Sequence, residues 1–257
     1  IRIDGGFDPW KDVAPAFELT SANVRDVSGI CAALDGIPLA IELAAARVRV
    51  LSVGQILERL GASLDLLSSG RRGTLPRHRT LRAALDWSHE LLGEEGRRLL
   101  RRLAVFRGGA TLDAVESVCA VDEDERARML DALASLVDRS LVTVREHDGE
   151  ARYGLLETVR QYALERLEAS GESDPVRRRH AAFFAALAAE AEPHLTRATR
   201  PGWIARLLPE LDNLREALSW TRDHAPGEHV VLVGRLWWFW FSTRHWAEGG
   251  RWLADAL

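Results

Sequence analysis

For most of its length the chain repeats its apolar residues every three or four positions, and once, near His147, the period drops to two. That rhythm restricts the fold to a helical protein carrying a single hairpin, because apolar side chains at 3.6-residue spacing cover one helix face and alternation covers one strand face. The alternating stretch "LVTVREHDGEARYGLL" is centred on Asp148-Gly149. Asp-Gly supplies the positive φ angles of a two-residue hairpin turn, so two short strands are expected there.

Helical patterns lie on both sides of the hairpin. Thr20 or Ser21 can cap a helix running to about Leu34, with Val24, Val27, Cys31 and Leu34 on one face. Gly36 breaks it, and Pro38 suits the first turn of the next helix, where a missing N–H costs nothing. From Leu39 to Val48 only Glu42 and Arg47 are polar, so this helix is expected at the centre of its bundle. Ser52 opens another. "SSGRRGTLPRHRTLR" reads as a linker, with Thr80 capping the helix after it. The stretch Glu94 to Phe106 sets Leu99, Leu100 and Leu103 against Arg97, Arg98, Arg101 and Arg102. "GGATLDAVESVCA" and "DEDERARMLDALASLVDRS" are two further helices, and another follows the hairpin from Glu157, with Val159, Tyr162, Ala163 and Leu167 inward.

Three helices followed by a hairpin is the order of a winged helix. "GESDPVRRRH" reads as a second linker, and only helical patterns follow it. Seven of the nine Trp lie beyond Pro201, and "WAEGGRWLADAL" has the small-large alternation of a tetratricopeptide-like (TPR-like) repeat. The expected fold is therefore mainly α. It comprises an unassigned leader (1–16), a helical bundle (17–70), a winged-helix domain with one β-hairpin (75–170) and the start of TPR-like helical repeats (174–257).

Composition removes several classes. No apolar run of about 18 residues is present, so no membrane span is expected. The N-terminus lacks the build of a secretion signal. It also lacks Met, and the C-terminus stops inside a helical pattern, so the chain reads as part of something longer. Two cysteines, each inside an amphipathic pattern, point away from disulfides or zinc and toward a reducing, cytoplasmic setting. Lys11 is the only Lys among 34 cationic residues and follows Trp10, so the chain holds no Gly-Lys-Ser/Thr phosphate loop. Neither H-E-x-x-H nor G-x-S-x-G occurs, and Asp86 with His89 is one helical turn of the kind that surface pairs share. No catalysis by the chain itself is expected.

Five segments occur in an order that resembles one family: "ICAALDGIPLAIELAAARVRVLS", "LPRHRTLRAALDWSHELL", "RRLAVFRGGATLDAVESVC", "LDALASLVDRSLV" and "YGLLETVRQYALERL". They resemble the half that follows the phosphate loop in STAND-class signalling ATPases of the NB-ARC type. The bacterial forms joined to LuxR-like or SARP-like transcriptional regulators are the most similar. "DNLREALSW" and "EGGRWLADAL" resemble the start of that family's repeat sensor. The resemblance runs from Phe17 to Leu257, making the bundle ARC1-like and the winged helix ARC2-like.

It implies a nucleotide-gated transcriptional regulator. An upstream phosphate-loop domain of the same chain would bind ATP or ADP and its magnesium, and an effector would bind the repeats. DNA would be bound through a separate domain, and a nucleotide-dependent oligomer is a further expectation. Gly36, Ile37, Pro38 and Leu39 look like the family's G-x-P-L segment, whose proline packs on adenine; Pro38 can equally be a plain helix start. The family's Met-His-Asp phosphate monitor falls on Leu155, Leu156 and Glu157, where the His is absent and the Asp has become Glu. Glu157 can instead complement a helix dipole. Arg77 and Arg79, in a basic stretch with Arg71, Arg72, His78 and Arg82, are candidates for phosphate contact or a solvated loop.

Two other classes stand beside this reading. A winged helix can bind DNA directly, but its reader, "DEDERARMLDALASLVDRS", is acidic. The Arg97–Arg102 face and "VRRRH" at Val176–His180 are the better DNA candidates, and each can equally be a solvated face that keeps its helix soluble. The Trp-rich end could serve an interaction scaffold; Trp237, Trp238 and Trp240 cannot share one helix side, so at least one is expected in the core and one outside.

Overall fold

In the computed structural model, backbone is described for Trp10, 17–34, 36–68 and 76–256, and side chains for the same residues except 61–68 and 76–79. The fold is mainly helical. Thirteen α-helices are placed among the described residues, with one small sheet. Two compact units are formed: 1–100, 130–143 and 156–162 in one, 101–129, 144–155 and 163–257 in the other.

The first unit begins with α1 (Val24–Ala33). A turn built on the Thr20 carbonyl precedes it, and the Asn23 side chain accepts from the Thr20 N–H at 2.8 Å. The buried face is Val27, Ile30 and Leu34, whereas Val24 is exposed and Cys31 half-buried. The expected stripe is thus rotated by about one residue, because Ile30 outcompetes the smaller Cys31 for the interior. α2 (Pro38–Ala45) continues as a 3-10 turn (Ala46–Arg49) and buries Ala40, Ile41, Leu43, Ala44 and Ala45, while Pro38 at its start is exposed. α3 (Val53–Ser68) starts on a reciprocal cap: Ser52 Oγ accepts from the Gln55 N–H, and Gln55 Oε1 accepts from the Ser52 N–H.

α4 (Pro76–Glu90) begins four residues before the expected cap. Pro76 occupies the first helical position, and Thr80 lies buried inside the helix. Half of the supposed linker is therefore helix, because a proline marks a helix start as readily as a loop. α1 packs on α3, and α2 and α3 pack on α4.

α5 (Glu94–Leu103), α6 (Leu112–Cys119) and α7 (Glu123–Asp138) are the three helices of the winged helix. β2 (Thr143–His147) and β3 (Glu150–Gly154) form the wing. Asp148 and Gly149 both have positive φ, 51° and 80°, as the Asp-Gly turn required. A short β1 (Ala110–Thr111) was not expected; it pairs antiparallel with β3, Ala110 opposite Tyr153, giving the order β1-β3-β2. Gly109 admits this close approach: a Cβ there would lie 3.1 Å from the Tyr153 carbonyl oxygen.

α8 (Glu157–Ser170) buries Val159, Tyr162, Ala163 and Leu167. α9 (Ser173–Ala191) follows after Gly171 and Glu172 alone, so "GESDPVRRRH" is a helix start and not a linker. Here too Pro sits in a first turn. α10 (Arg200–Leu207), α11 (Leu211–His224), α12 (Pro226–Ser242) and α13 (Trp246–Ala256) complete the second unit. Within it α9 packs on α6 and α11, and α12 on α11 and α13. Trp240 is buried while Trp237 and Trp238 are exposed, the division their spacing required. Among the described residues no helix is long and apolar enough to cross a membrane, and both cysteines are free thiols.

Candidate functional site

The Gly36–Leu39 corner is built by the end of one helix and the start of the next. Gly36 takes φ +67° and its N–H donates to the Cys31 carbonyl, closing α1. Ile37 is extended and caps α2, and Pro38 fills the first helical position. Gly36 and Pro38 are exposed, Ile37 and Leu39 half-buried. Nothing lies within 4 Å of a Cβ placed on Gly36, so conformation and not crowding selects glycine there. The corner is therefore an open apolar ledge. A cleft in the same unit, lined by Phe17, Asn23, Asp26, Leu51, Ser52 and Gly54, does not include it.

The other expected contacts are elsewhere. Arg77 and Arg79 fall in the first turn of α4, and their side chains lie outside those described. Glu157 opens α8 and is held within that helix: both carboxylate oxygens accept from Arg160 at 2.9 Å, and one accepts from Gln161 at 3.1 Å. Asp86 accepts from the Tyr162 hydroxyl at 2.8 Å, and His89 sets its ring against the Tyr162 ring. Both are parts of a packing cluster.

α7 would be the reading helix. Met129, Leu133 and Leu136 are its buried stripe. Its exposed residues include Glu123, Asp124, Asp131 and Asp138 against Arg128. A polyanion approaching that face meets net negative charge.

Several arginines of the two basic stretches are committed inside the fold, whereas Arg178 is exposed. Arg97 donates to the carbonyls of His89 and Glu90 at 3.1 and 2.6 Å. Arg101 pairs with Glu172 at 2.8 Å. Arg102 is buried and donates to the Cys119 carbonyl at 2.6 Å, to Glu125 at 2.8 Å and to Glu172 at 2.9 Å. Burial by itself would raise the Glu172 carboxyl, but hydrogen bonds from Arg101 and Arg102 and their charges carry it down to about 2. In α9, Arg179 donates to the Val118 carbonyl at 2.7 Å, and Val176 and His180 are buried. The expectation that these arginines form solvated or DNA-facing surfaces is thus corrected for Arg97, Arg101, Arg102 and Arg179.

The wing is pinned as well. Arg152 on β3 pairs with buried Glu210, and its second nitrogen donates to the Gly109 and Pro209 carbonyls. Buried Asn213 completes the cluster. Its Nδ2 donates to the Gly109 carbonyl at 2.9 Å and to Glu210 at 2.8 Å, and its Oδ1 accepts from the Arg107 N–H at 2.7 Å. This links the wing to the α10–α11 corner by groups that are all satisfied. The cleft beside it, about 320 Å³, carries Asp113, Asp148 and Glu150 on its walls, with Arg206 paired to Glu190. None of this cluster was singled out in the sequence, where Arg107, Arg152, Glu210 and Asn213 are scattered among similar residues; Gly108-Gly109 was the one visible sign.

Residues 92–168 match the family of winged helix-turn-helix domains. Over 251 residues, 97% of this chain, the sequence is 44% identical to the "Putative HTH-type transcriptional regulator Rv0890c" of Mycobacterium tuberculosis, which it covers for 28% of its length. The same figures hold for Mb0914c of Mycobacterium bovis, which carries the same description. It is also 44% identical over 174 residues to "Uncharacterized protein Rv0894" of Mycobacterium tuberculosis, 67% of this chain and 44% of that protein. The chain spans less than half the length of these relatives.

Proposed function

We propose that this chain is the regulatory segment of a transcription regulator, in which a winged helix relays the state of helical repeats and does not itself read DNA. The observation that carries this is the solvent face of α7, where Glu123, Asp124 and Asp131 stand exposed with Arg128, and a fourth acid, Asp138, is paired with Arg49. The wing's anchorage through Arg152 to Glu210 supports the same reading, since a pinned wing transmits displacement of the repeats. The name of the Mycobacterium tuberculosis relative supports the regulatory setting.

In its finer form the switch is nucleotide-gated. ATP or ADP would bind an upstream phosphate-loop domain of a longer cytoplasmic parent, with DNA held by another domain and an effector on the repeats. The parent would work only if the two nucleotides favour different domain arrangements. The exposed Gly36–Leu39 ledge supports an adenine contact, and Glu157, engaged by Arg160, is left a structural role. The segment performs no chemistry of its own.

A mobility-shift titration of this chain on duplex DNA tests the central reading. The expected result is no retarded band at either low or physiological salt. Tight binding that weakens linearly with the logarithm of salt would make the winged helix the reader. For the nucleotide, calorimetry on this chain alone is expected to show no micromolar ATP binding. In the parent, Pro38→Ala is expected to weaken nucleotide retention more than it lowers the nucleotide-free melting temperature.

A further inference from the structure

Arg47 occupies the 3-10 turn that prolongs α2, and its side chain is 2% exposed. Its Nε and Nη2 have no hydrogen-bond partner. The guanidinium lies over the Trp87 ring, 5.9 Å from its centroid, which offsets part of the lost hydration without supplying an acceptor. The charge of a second cation, Arg139, acts on it. Arg139 donates Nη1 to the Ser135 carbonyl at 2.9 Å and to the Ser135 hydroxyl, but its buried Nε is also without a partner. Asp138, the adjoining acid, pairs with Arg49 at 2.8 Å. Burial and then repulsion by Arg139 push the Arg47 guanidinium down to about 10. No carboxylate opposes that shift.

Two guanidinium groups with unanswered buried N–H donors are unfavourable on their own. They match an anion that accepts from both, and arginine forks fit the tetrahedral oxygens of phosphate in pairs. We propose that Arg47 and Arg139 form a binding site for a phosphate-class oxyanion, entered from the half-exposed Arg139 side. Free phosphate and the phosphate tail of a nucleotide share this chemistry. The site is independent of the proline ledge, since neither arginine belongs to it.

Thermal melts of this chain test it. Inorganic pyrophosphate at about a hundred times its dissociation constant should raise the wild-type melting temperature by about 5 °C over sodium chloride of equal ionic strength. Arg47→Met and Arg139→Gln should each abolish that rise. Without pyrophosphate, Arg47→Met should melt no lower than wild type, because it removes an unpaired buried charge. If Arg47→Met does not fold, Arg139→Gln, altered at a half-exposed residue, carries the test. An ATP-induced rise lost in both arginine variants supports the site with a nucleotide as its source. No rise in wild type, or an equal rise in the arginine variants, overturns it. An ATP effect that survives both arginine changes and disappears in Pro38→Ala overturns this site while leaving the adenine ledge standing.

Discussion

Arg102 and Arg47 are buried to nearly the same degree, 5% and 2% exposed, yet their surroundings are opposite. Arg102 lies between Glu125 and Glu172 with a backbone carbonyl as a third acceptor. Arg47 has Trp87 beneath it and another arginine beside it. Both terminal nitrogens of Arg102 meet acceptors although its Nε does not, and removing this arginine would strand Glu125 and Glu172. A buried charge with no counter-ion stabilises nothing until an anion arrives. The same residue type thus meets two carboxylates in one place and an aromatic face with a second guanidinium in the other.

Exchanging the two arginines for methionine gives the sharpest contrast. Arg102→Met should cost about 3–5 kcal/mol, read as a lower urea midpoint, because Glu125 and Glu172 lose their common partner. Equal losses from Arg102→Met and Arg47→Met would erase the distinction.

Acid provides the next largest effect. Burial pushes the His180 imidazole down to about 4, against a hydrogen bond to Asn213. A folded-state value below the unfolded 6.5 means that the stability it permits is complete above pH 6.5 and is lost as pH falls from 6.5 to 4. The loss should approach about 3 kcal/mol, and His180→Phe should flatten the stability profile across that window. Glu172 acts lower: its carboxyl, held at about 2, gives stability that is present above pH 4.5 and disappears toward 2.

Asn213→Ala should cost about 2 kcal/mol in the same denaturation assay, since it strips acceptors and donors from Gly109, Glu210 and Arg107. The smallest expected change is Gly249→Ala, a steric control without charge. Its Cβ would stand 2.9 Å from the Trp240 Cβ, and about 1 kcal/mol, seen as a few degrees in melting temperature, should be lost.

Much of the fold was legible because helix and hairpin signals are local. The Asp148-Gly149 turn, the helix start at Ser52 and the apolar run of α2 each depend on residues within one turn of chain. The linker readings at Pro76 and Pro175 failed for a local reason too: proline, glycine and charge mark a loop and a helix N-terminus alike. The candidate site was less legible. Four arginines in a row of helix positions look the same whether they face water or buried acids, and Glu172 lies 70 residues from Arg102. A lone Arg47 in an apolar run was visible, but the absence of acceptors for its buried Nε and Nη2 was not.

By itself, then, the sequence determined a helical chain with one wing and set out which faces are apolar, because periodicity and turn chemistry act over a few residues. Only the tertiary structure decided which charges are satisfied. Whether a guanidinium meets a carboxylate, a carbonyl or another cation depends on segments brought together from far along the chain, and in a low-dielectric interior that meeting sets the cost of keeping the charge.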